Sequence, residues 1–554
     1  MKQRFLALAI SCVALALGAG PAMAQDPVSG QVAEQSAGSL QNAEANANST
    51  QYNPSNTNIS VRVLSPGDDG DVSQENNSYA AADATNDNDT DQSVEQSQPG
   101  PGGVALQQAA QEAVNLQNAE ADAESLQIKP ENKNINVRVL SEGDNGDVSQ
   151  ENNSAAKSEA ENENELEQDI TQEQSGGECC EPKKAAPADA KYPKYEKGDS
   201  CCGGTGIQKA DQDAVNKQNA EADAKSTQIK PSNTNISVRV LSNGDNGDVS
   251  QENSSYAEAE ADNDNDTDQS VEQSQSGSGG AAVQEAEQEA ESLQNAEADA
   301  ESTQVEPENK NESVRFESDG DGGSVEQSNN SEAKSEAENE NELEQDITQE
   351  QSGGECCEEK KAEPSYDKSK EDEYPKYEED KYPKYEEDDC GCKGIAIQAA
   401  AQQATNKQNA EADAESFQFK PSNKNASVRF KSNGYDGDVT QENNSSADAD
   451  AENENDTDQS IDQSQESGDC GCYGTQIQAA AQEAFNWQNA DADAESKQIE
   501  PENKALSFRF LSWGEGGSLS QENNSEAESE AENENDLEQD LDQDQGGQEA
   551  AIPV

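Results

Sequence analysis

From Val249 to Gln275 the chain alternates with a period of two. Val249, Gln251, Asn253, Ser255, Ala257, Ala259, Ala261, Asn263, Asn265, Thr267, Gln269, Val271, Gln273 and Gln275 are uncharged. The residues between them include Glu252, Glu258, Glu260, Asp262, Asp264, Asp266, Asp268 and Glu272. Two is the strand period, and a helix would spread both sets around its circumference. The same parity governs Gln478, Ala480, Gln482, Ala484, Asn486, Gln488, Ala490, Ala492, Ala494, Ser496 and Gln498, and it recurs from Gln107 through Gln117 to Gln127. Ala and Gln are also good helix formers, so a helix around Ala479–Ala484 is the alternative at that point. Between such arms lies a short apolar strand in which Ile236, Val238 and Val240 alternate with Asn235, Ser237 and Arg239. Asn243-Gly244-Asp245-Asn246-Gly247 then turns the chain.

The pattern repeats six times. Gln-Asn-Ala recurs at Gln41, Gln117, Gln218, Gln294, Gln408 and Gln488, with spacings of 76, 101, 76, 114 and 80 residues. Copies one, three and five carry Thr90-Asp91-Gln92-Ser93-Val94 or its equivalent; copies two, four and six carry Leu166-Glu167-Gln168-Asp169-Ile170 or its equivalent. A two-repeat unit copied three times accounts for this. Divergence among the copies identifies the two faces. One position of the acidic parity reads Tyr79, Ala155, Tyr256, Glu332, Ser446 and Glu526, and another reads Ala81, Lys157, Glu258, Lys334, Asp448 and Glu528. At the opposite parity the exchanges are only Ala for Ser, Thr for Leu, and among Val, Ile and Leu.

These arms exceed ordinary strand lengths and predict an all-β fold of repetitive, β-solenoid-like or stacked-strand repeats, with Gln, Asn, Ala and Ser inward. The repeats are read as 31–98, 107–174, 208–275, 284–351, 398–465 and 478–545. Residues 178–204 and 355–394 form acidic linkers, read as disordered. The inward palette resembles that of curlin, the subunit of bacterial functional-amyloid fibres. The likeness covers the arms alone: the repeats here are longer, their glycines fall elsewhere, and the outer face is more acidic. It implies a β-stacked extracellular assembly.

Composition opens a second reading. Against 118 acids stand 36 bases, no histidine and 4% aromatics, for a net charge of −82. Such a chain has little apolar surface to offset its entropy, so a largely intrinsically disordered polyelectrolyte is the alternative fold class. The charge excludes nucleic acid and anionic membrane as partners and allows cations, basic surfaces or self-association. If arms stack in register, carboxylates about 4.8 Å apart repel by roughly 0.9 kcal/mol per pair even at the dielectric of water. A folded stack then requires cations, high salt or a stagger between arms.

Residues 1–24 read as a bacterial export signal: Lys2 and Arg4, an apolar run from Phe5 to Leu17, and Ala22-Met23-Ala24 as the cleavage site. No later segment is apolar enough to predict a membrane-spanning helix. The chain is expected to be secreted or held at the cell surface, where disulfides are the default. The candidates are Cys179, Cys180, Cys201, Cys202, Cys356, Cys357, Cys390, Cys392, Cys470 and Cys472, within or between chains. The linkers also hold Tyr192-Pro193-Lys194-Tyr195 and two similar motifs, which suit a spacer or an adhesive segment.

Turn carboxylates Asp68, Asp69, Asp71, Asp144, Asp147, Asp245 and Asp248 are candidate ligands for weak, multivalent calcium, with a plain hairpin turn as the alternative. The single Arg of each repeat (Arg62, Arg138, Arg239, Arg315, Arg429, Arg509) is read as a strand-face partner for carboxylates. Without histidine there is no Ser-His or Cys-His pair, and little apolar material exists to enclose a catalytic acid, so the chain is not expected to be an enzyme. The expected role is structural: an extracellular matrix, coat or biofilm protein with cation-dependent ordering or assembly. The alternatives are a disordered polyelectrolyte binding calcium or mineral, and an adhesin.

Overall fold

The computed structural model describes residues 28–100, 104–176, 205–277, 281–353, 395–466 and 475–546. Each repeat supplies one rung of three strands, a long arm, a short strand and a second long arm. The rungs are β1 (Val28–Tyr52), β2 (Ser55–Val63), β3 (Val72–Gly100); β4 (Val104–Ile128), β5 (Glu131–Val139), β6 (Val148–Gly176); and β7 (Thr205–Ile229), β8 (Ser232–Val240), β9 (Val249–Gly277). Then follow β10 (Ala281–Val305), β11 (Glu308–Phe316), β12 (Val325–Gly353); β13 (Ile395–Phe419), β14 (Ser422–Phe430), β15 (Val439–Glu466); and β16 (Thr475–Ile499), β17 (Glu502–Phe510), β18 (Leu519–Gly546).

Equivalent strands pair in parallel and in register, giving three six-stranded sheets in rung order. Gln41 aligns with Gln117, Arg62 with Arg138 and Asn88 with Asn164, and this register continues through all six rungs. The molecule is a solenoid-like stack. Ala479–Ala484 lies within β16, so the helical alternative does not hold: the arm's parity continues through that segment, and its alanines join the neighbouring rung as strand. Nor are adjacent arms staggered, because the inner amides fix the register directly.

The two long arms of a rung face each other across a polar interior. Down one column, Asn76 donates to Asn152, Asn152 to Asn253, Asn253 to Asn329, Asn329 to Asn443 and Asn443 to Asn523, at 2.7–2.9 Å. On the facing arm, Gln208 donates to Gln107 at 3.0 Å and also reaches the Gln172 and Ser274 carbonyls opposite, at 2.9 and 3.1 Å. Buried amides thus bond their neighbours in adjacent rungs, and Gln208 and its equivalents also bond the backbone across the interior, as buried polar groups require. Where amides are absent, small residues let the sheets approach. Ala119, Ala121 and Ala123 pack against Ala156 and Ala160. Larger residues meet Ala: Leu166 clusters with Ala113, and Ile170 with Ala109.

Each rung bends at fixed points. The residue before the proline that separates the first arm from the short strand, Lys129 in the second rung, takes a φ of about 53°, and the residue after each short strand, Leu140, takes 52°. Gly143, at φ 127°, must be glycine for two reasons. Side chains rarely adopt that φ, and a Cβ would strike the Gly67 carbonyl of the rung below.

Candidate functional site

Four surfaces could carry function: the turns, the outer faces of the arms, the outer face of the short strands, and the two ends of the stack.

At the turns, the predicted ligands are brought close but are already engaged. Asp68 accepts a hydrogen bond from the Asp144 amide of the next rung at 2.8 Å, Asp144 from Asp245 at 2.8 Å, and Asp245 from Asp321 at 2.7 Å. Asp71, Asp147 and Asp248 do the same for the amides of Asp147, Asp248 and Ser324, at 2.8–3.0 Å. These carboxylates fasten one rung to the next. Asp69 points inward instead, 2.5 Å from Arg62 and 2.9 Å from Arg138. Burial would raise its pKa, but the hydrogen bond from Arg62 and the charge of Arg138 outweigh it and hold the carboxyl below its ordinary range. Among the described residues, no group of three or more His, Cys, Asp or Glu is placed to hold a metal ion.

The arginines face inward, not outward. Arg138, Arg239, Arg315 and Arg429 are fully buried and form a column along the stack. Each donates through Nη2 to a carbonyl of its own turn (Asp144, Asp245, Asp321 or Tyr435) and through Nη1 to the glycine carbonyl one rung below, at 2.8–2.9 Å. Their Nε partners differ: Asn145 serves Arg138, Asn246 serves Arg239 and Asp436 serves Arg429. Gly322 stands at that place in the fourth rung, and the Arg315 Nε has no acceptor. Burial first, then the charges of Arg239 and Arg429, pulls the Arg315 pKa down to about 9. Carboxylates therefore pair with this column only at Asp69 and Asp436, a narrower role than the sequence suggested. Beside the column a channel of about 250 Å³ runs along the stack, lined by Asn136, Asn145, Asn235, Ser237, Asn246 and the turn glycines.

The outer faces of the second arms are carboxylate lattices. Asp87, Glu163, Asp264, Glu340, Glu454 and Glu534 form one column unbroken through the six rungs; Asp89, Glu165, Asp266, Glu342, Asp456 and Asp536 form the next. Partial burial and mutual repulsion raise the pKa values of carboxylates in these columns and their neighbours. Partial burial, followed by the charges of Glu338, Asp264, Glu161 and Glu260, pushes Asp262 up to about 7. Asp264, Asp268 and Asp299 are pushed up to about 6 by the same combination of burial and neighbouring carboxylates.

The short strands carry their apolar residues outward. Asn132, Asn134, Asn136 and Arg138 point in, whereas Ile135, Val137 and Val139 point out and are only half-buried. Phe316, Phe430 and Phe510 continue the last of these columns as a stacked ladder with ring centroids 5.0 Å apart.

The ends leave strands unpaired. β1, β2 and β3 form the edges at one end, and β16, β17 and β18 form those at the other. Every residue of β18 is exposed.

The ten candidate disulfide cysteines, the export signal and the linkers at 178–204 and 355–394 lie outside the described residues. No helix among the described residues is long and apolar enough to cross a membrane. Comparison with protein families, with curated proteins and with solved structures gives no match to this chain.

Proposed function

We propose that this is an exported structural protein of an extracellular matrix, coat or biofilm, which assembles by stacking copies end to end when cations or protons neutralise its carboxylate lattices. The observation that carries this reading is the complementarity of the two ends. The inward Asn ladders run with one polarity, so the last rung presents the amide nitrogens of Asn523, Asn533 and Asn535, and the first presents the carbonyl oxygens of Asn76, Asn86 and Asn88, while the inward Gln ladders run the other way. A first rung laid on a sixth also continues the alternation of Thr90-type and Leu166-type repeats. Such a head-to-tail contact does not close, and it yields filaments. In-register amide ladders stabilise stacks of this kind.

The lattices set the condition for assembly. Each added copy places new carboxylates over old ones, at a cost of roughly 0.9 kcal/mol per pair at the dielectric of water. Calcium or protonation removes that cost. The ordered carboxylate columns also favour a second reading, an acidic face presented to calcium or mineral. The two readings differ in whether cation uptake is accompanied by fibres.

The test uses the full mature chain and a variant blocked at one end. The Val439 amide points to the next rung, reaching the Ser518 carbonyl at 2.9 Å. By the same alternation the Gln539 backbone amide faces the open end, so Gln539→Pro removes a donor there, together with one internal bond from Gln539 Nε2 to Gln459 Oε1 at 2.6 Å. Electron microscopy should show long fibres from the unaltered chain with millimolar calcium or near pH 5, and short particles from Gln539→Pro. Single particles from both, with full strand content by circular dichroism, would overturn end-to-end assembly.

A further inference from the structure

The outer face of the short strands stands apart from the rest of the surface. It presents three apolar columns: Ile59, Ile135 and Ile236 in the first three rungs of one, Val61 through Val428 to Phe508 in the next, and Val63 through Phe316 to Phe510 in the last. Among the end-rung members, Val61 is 60% exposed and Phe508 53%. The face is also almost neutral. Over segments 52–65, 128–141, 229–242, 305–318, 419–432 and 499–512 the charges other than the inward arginines are eight lysines and seven glutamates, in a chain of net charge −82. Several of these pair across rungs, as Lys230 does with Glu306 at 2.8 Å and Lys424 with Glu308 at 2.9 Å.

We infer that this stripe is a side-to-side docking surface for the same stripe of a second copy. Two observations select a second copy as the occupant. The first is charge: two copies repel through their arms, and this is the face on which they can meet with least repulsion and greatest apolar burial. The second is area. Six rungs at about 4.8 Å and nine residues at about 3.3 Å give roughly 850 Å² per copy, close to the roughly 800 Å² per partner of a standard stable interface.

The residue sizes also fit one arrangement. With a two-fold axis along the strands, the sixth rung of one copy faces the first of the other. Phe510 then lies over Val63, Phe430 over Val139 and Phe316 over Val240, large against small along the whole seam. The fourth rung, with Glu306, Glu308, Glu312 and Glu317, meets the third, with Lys230. The contact is isologous and closes at two copies. Combined with end-to-end stacking it makes a fibre two molecules wide, but it does not depend on that stacking.

Sedimentation equilibrium of the Gln539→Pro chain, under reducing conditions with calcium, isolates this contact from end stacking and from interchain disulfides. The expected mass is that of two copies. Val238→Asp, on the outer face, should weaken the pair at least about a hundredfold with strand content unchanged, and Val238→Ile should retain it. A single-copy mass with full strand content would overturn the inference, as would a pair indifferent to Val238→Asp. Single copies that float with phosphatidylcholine vesicles would also overturn it and assign the stripe to lipid. A failure of end stacking alone would leave the two-copy mass intact.

Discussion

The long arms and the short strands obey one interior rule and opposite exterior rules. Inside, both carry in-register columns of hydrogen-bonding groups: Gln, Asn and Ser with Ala in the arms, Asn and Arg in the short strands. Outside, the arms are covered in carboxylates, whereas the short strands are apolar and nearly neutral. The interior is held together by amide and guanidinium ladders, alanine spacers and buried apolar columns such as Val94, Ile170 and Val271, while other apolar residues form a surface. Hydrophobicity alone therefore does not mark the inside of this protein, since Leu166 and Ile170 are buried and Val61 and Phe508 are exposed. Polar repetition does.

The sharpest way to break the comparison is to put an arm's exterior chemistry into its interior. Ala298 is fully buried between the facing sheets. Ala298→Asp leaves an uncompensated charge there and should cost more than about 4 kcal/mol, enough to erase the strand signal in circular dichroism. The outward neighbour change Glu297→Gln should keep that signal and raise the melting temperature slightly, since Glu297 faces Glu221 and Glu411.

The next effect is collective. Asp262, Asp264, Asp268 and Asp299 have folded-state pKa values raised to about 6 to 7, above those of an unfolded carboxyl. The folded state binds protons that the unfolded state does not, so stability is fully present below the ordinary carboxylate range and is lost as pH rises through about 6 to 7. Asp69 and Asp436, with lowered values, act in the opposite sense and lose their contribution only at lower pH. The melting temperature should therefore rise from pH 8 to pH 5 and fall again in stronger acid. Calcium at pH 8 should reproduce much of the rise.

Within the arginine column the effects are smaller and graded. Arg429→Met removes the Asp436 pair and the bonds to the Gly320, Asn433 and Tyr435 carbonyls, and should cost about 3 kcal/mol in chemical denaturation. Arg315→Met should cost about 1 kcal/mol less, because its Nε has no acceptor to lose. The smallest change is a gain. Gly322→Asn places the amide that serves Arg138 and Arg239 beside Arg315, and should stabilise by about 0.5–1 kcal/mol. Its φ is not left-handed, and a Cβ there would approach the Gly437 nitrogen at 3.2 Å, which a small shift relieves.

Much of the fold was legible in the sequence, and the reason is physical. A period of two sorts residues onto two faces, and six diverged copies show which face tolerates exchange. Every second position from Val249 to Gln275, the set that carries no charge, is inward and buried. The short strand was legible as a strand, but not which of its faces points inward. Ile236, Val238 and Val240 look like core by hydrophobicity, yet the parity changes at Lys230-Pro231 and carries them outside. The divergence test marks this as well: Ile59 becomes Glu312 and Val63 becomes Phe316, while Arg62 and its five equivalents never change. The turn aspartates were identifiable as clustered oxygens, but their rung-to-rung bonds to backbone amides needed the stacked register. Asn145, Asn246 and Asp436 as arginine partners likewise depend on which turn lies over which.

The central claim is the in-register stacking of equivalent strands, and zero-length carbodiimide crosslinking of the unaltered chain tests it most directly. Lys230 should couple to Glu306, Lys424 to Glu308, Lys431 to Glu317 and Lys420 to Glu500, pairs 2.8–3.4 Å apart that are far apart in sequence. Recovery of these pairs by mass spectrometry, with few others from the same lysines, is the predicted result. Coupling of each lysine mainly to its sequence neighbours, or indiscriminately to the chain's many carboxylates, would contradict the stacked register.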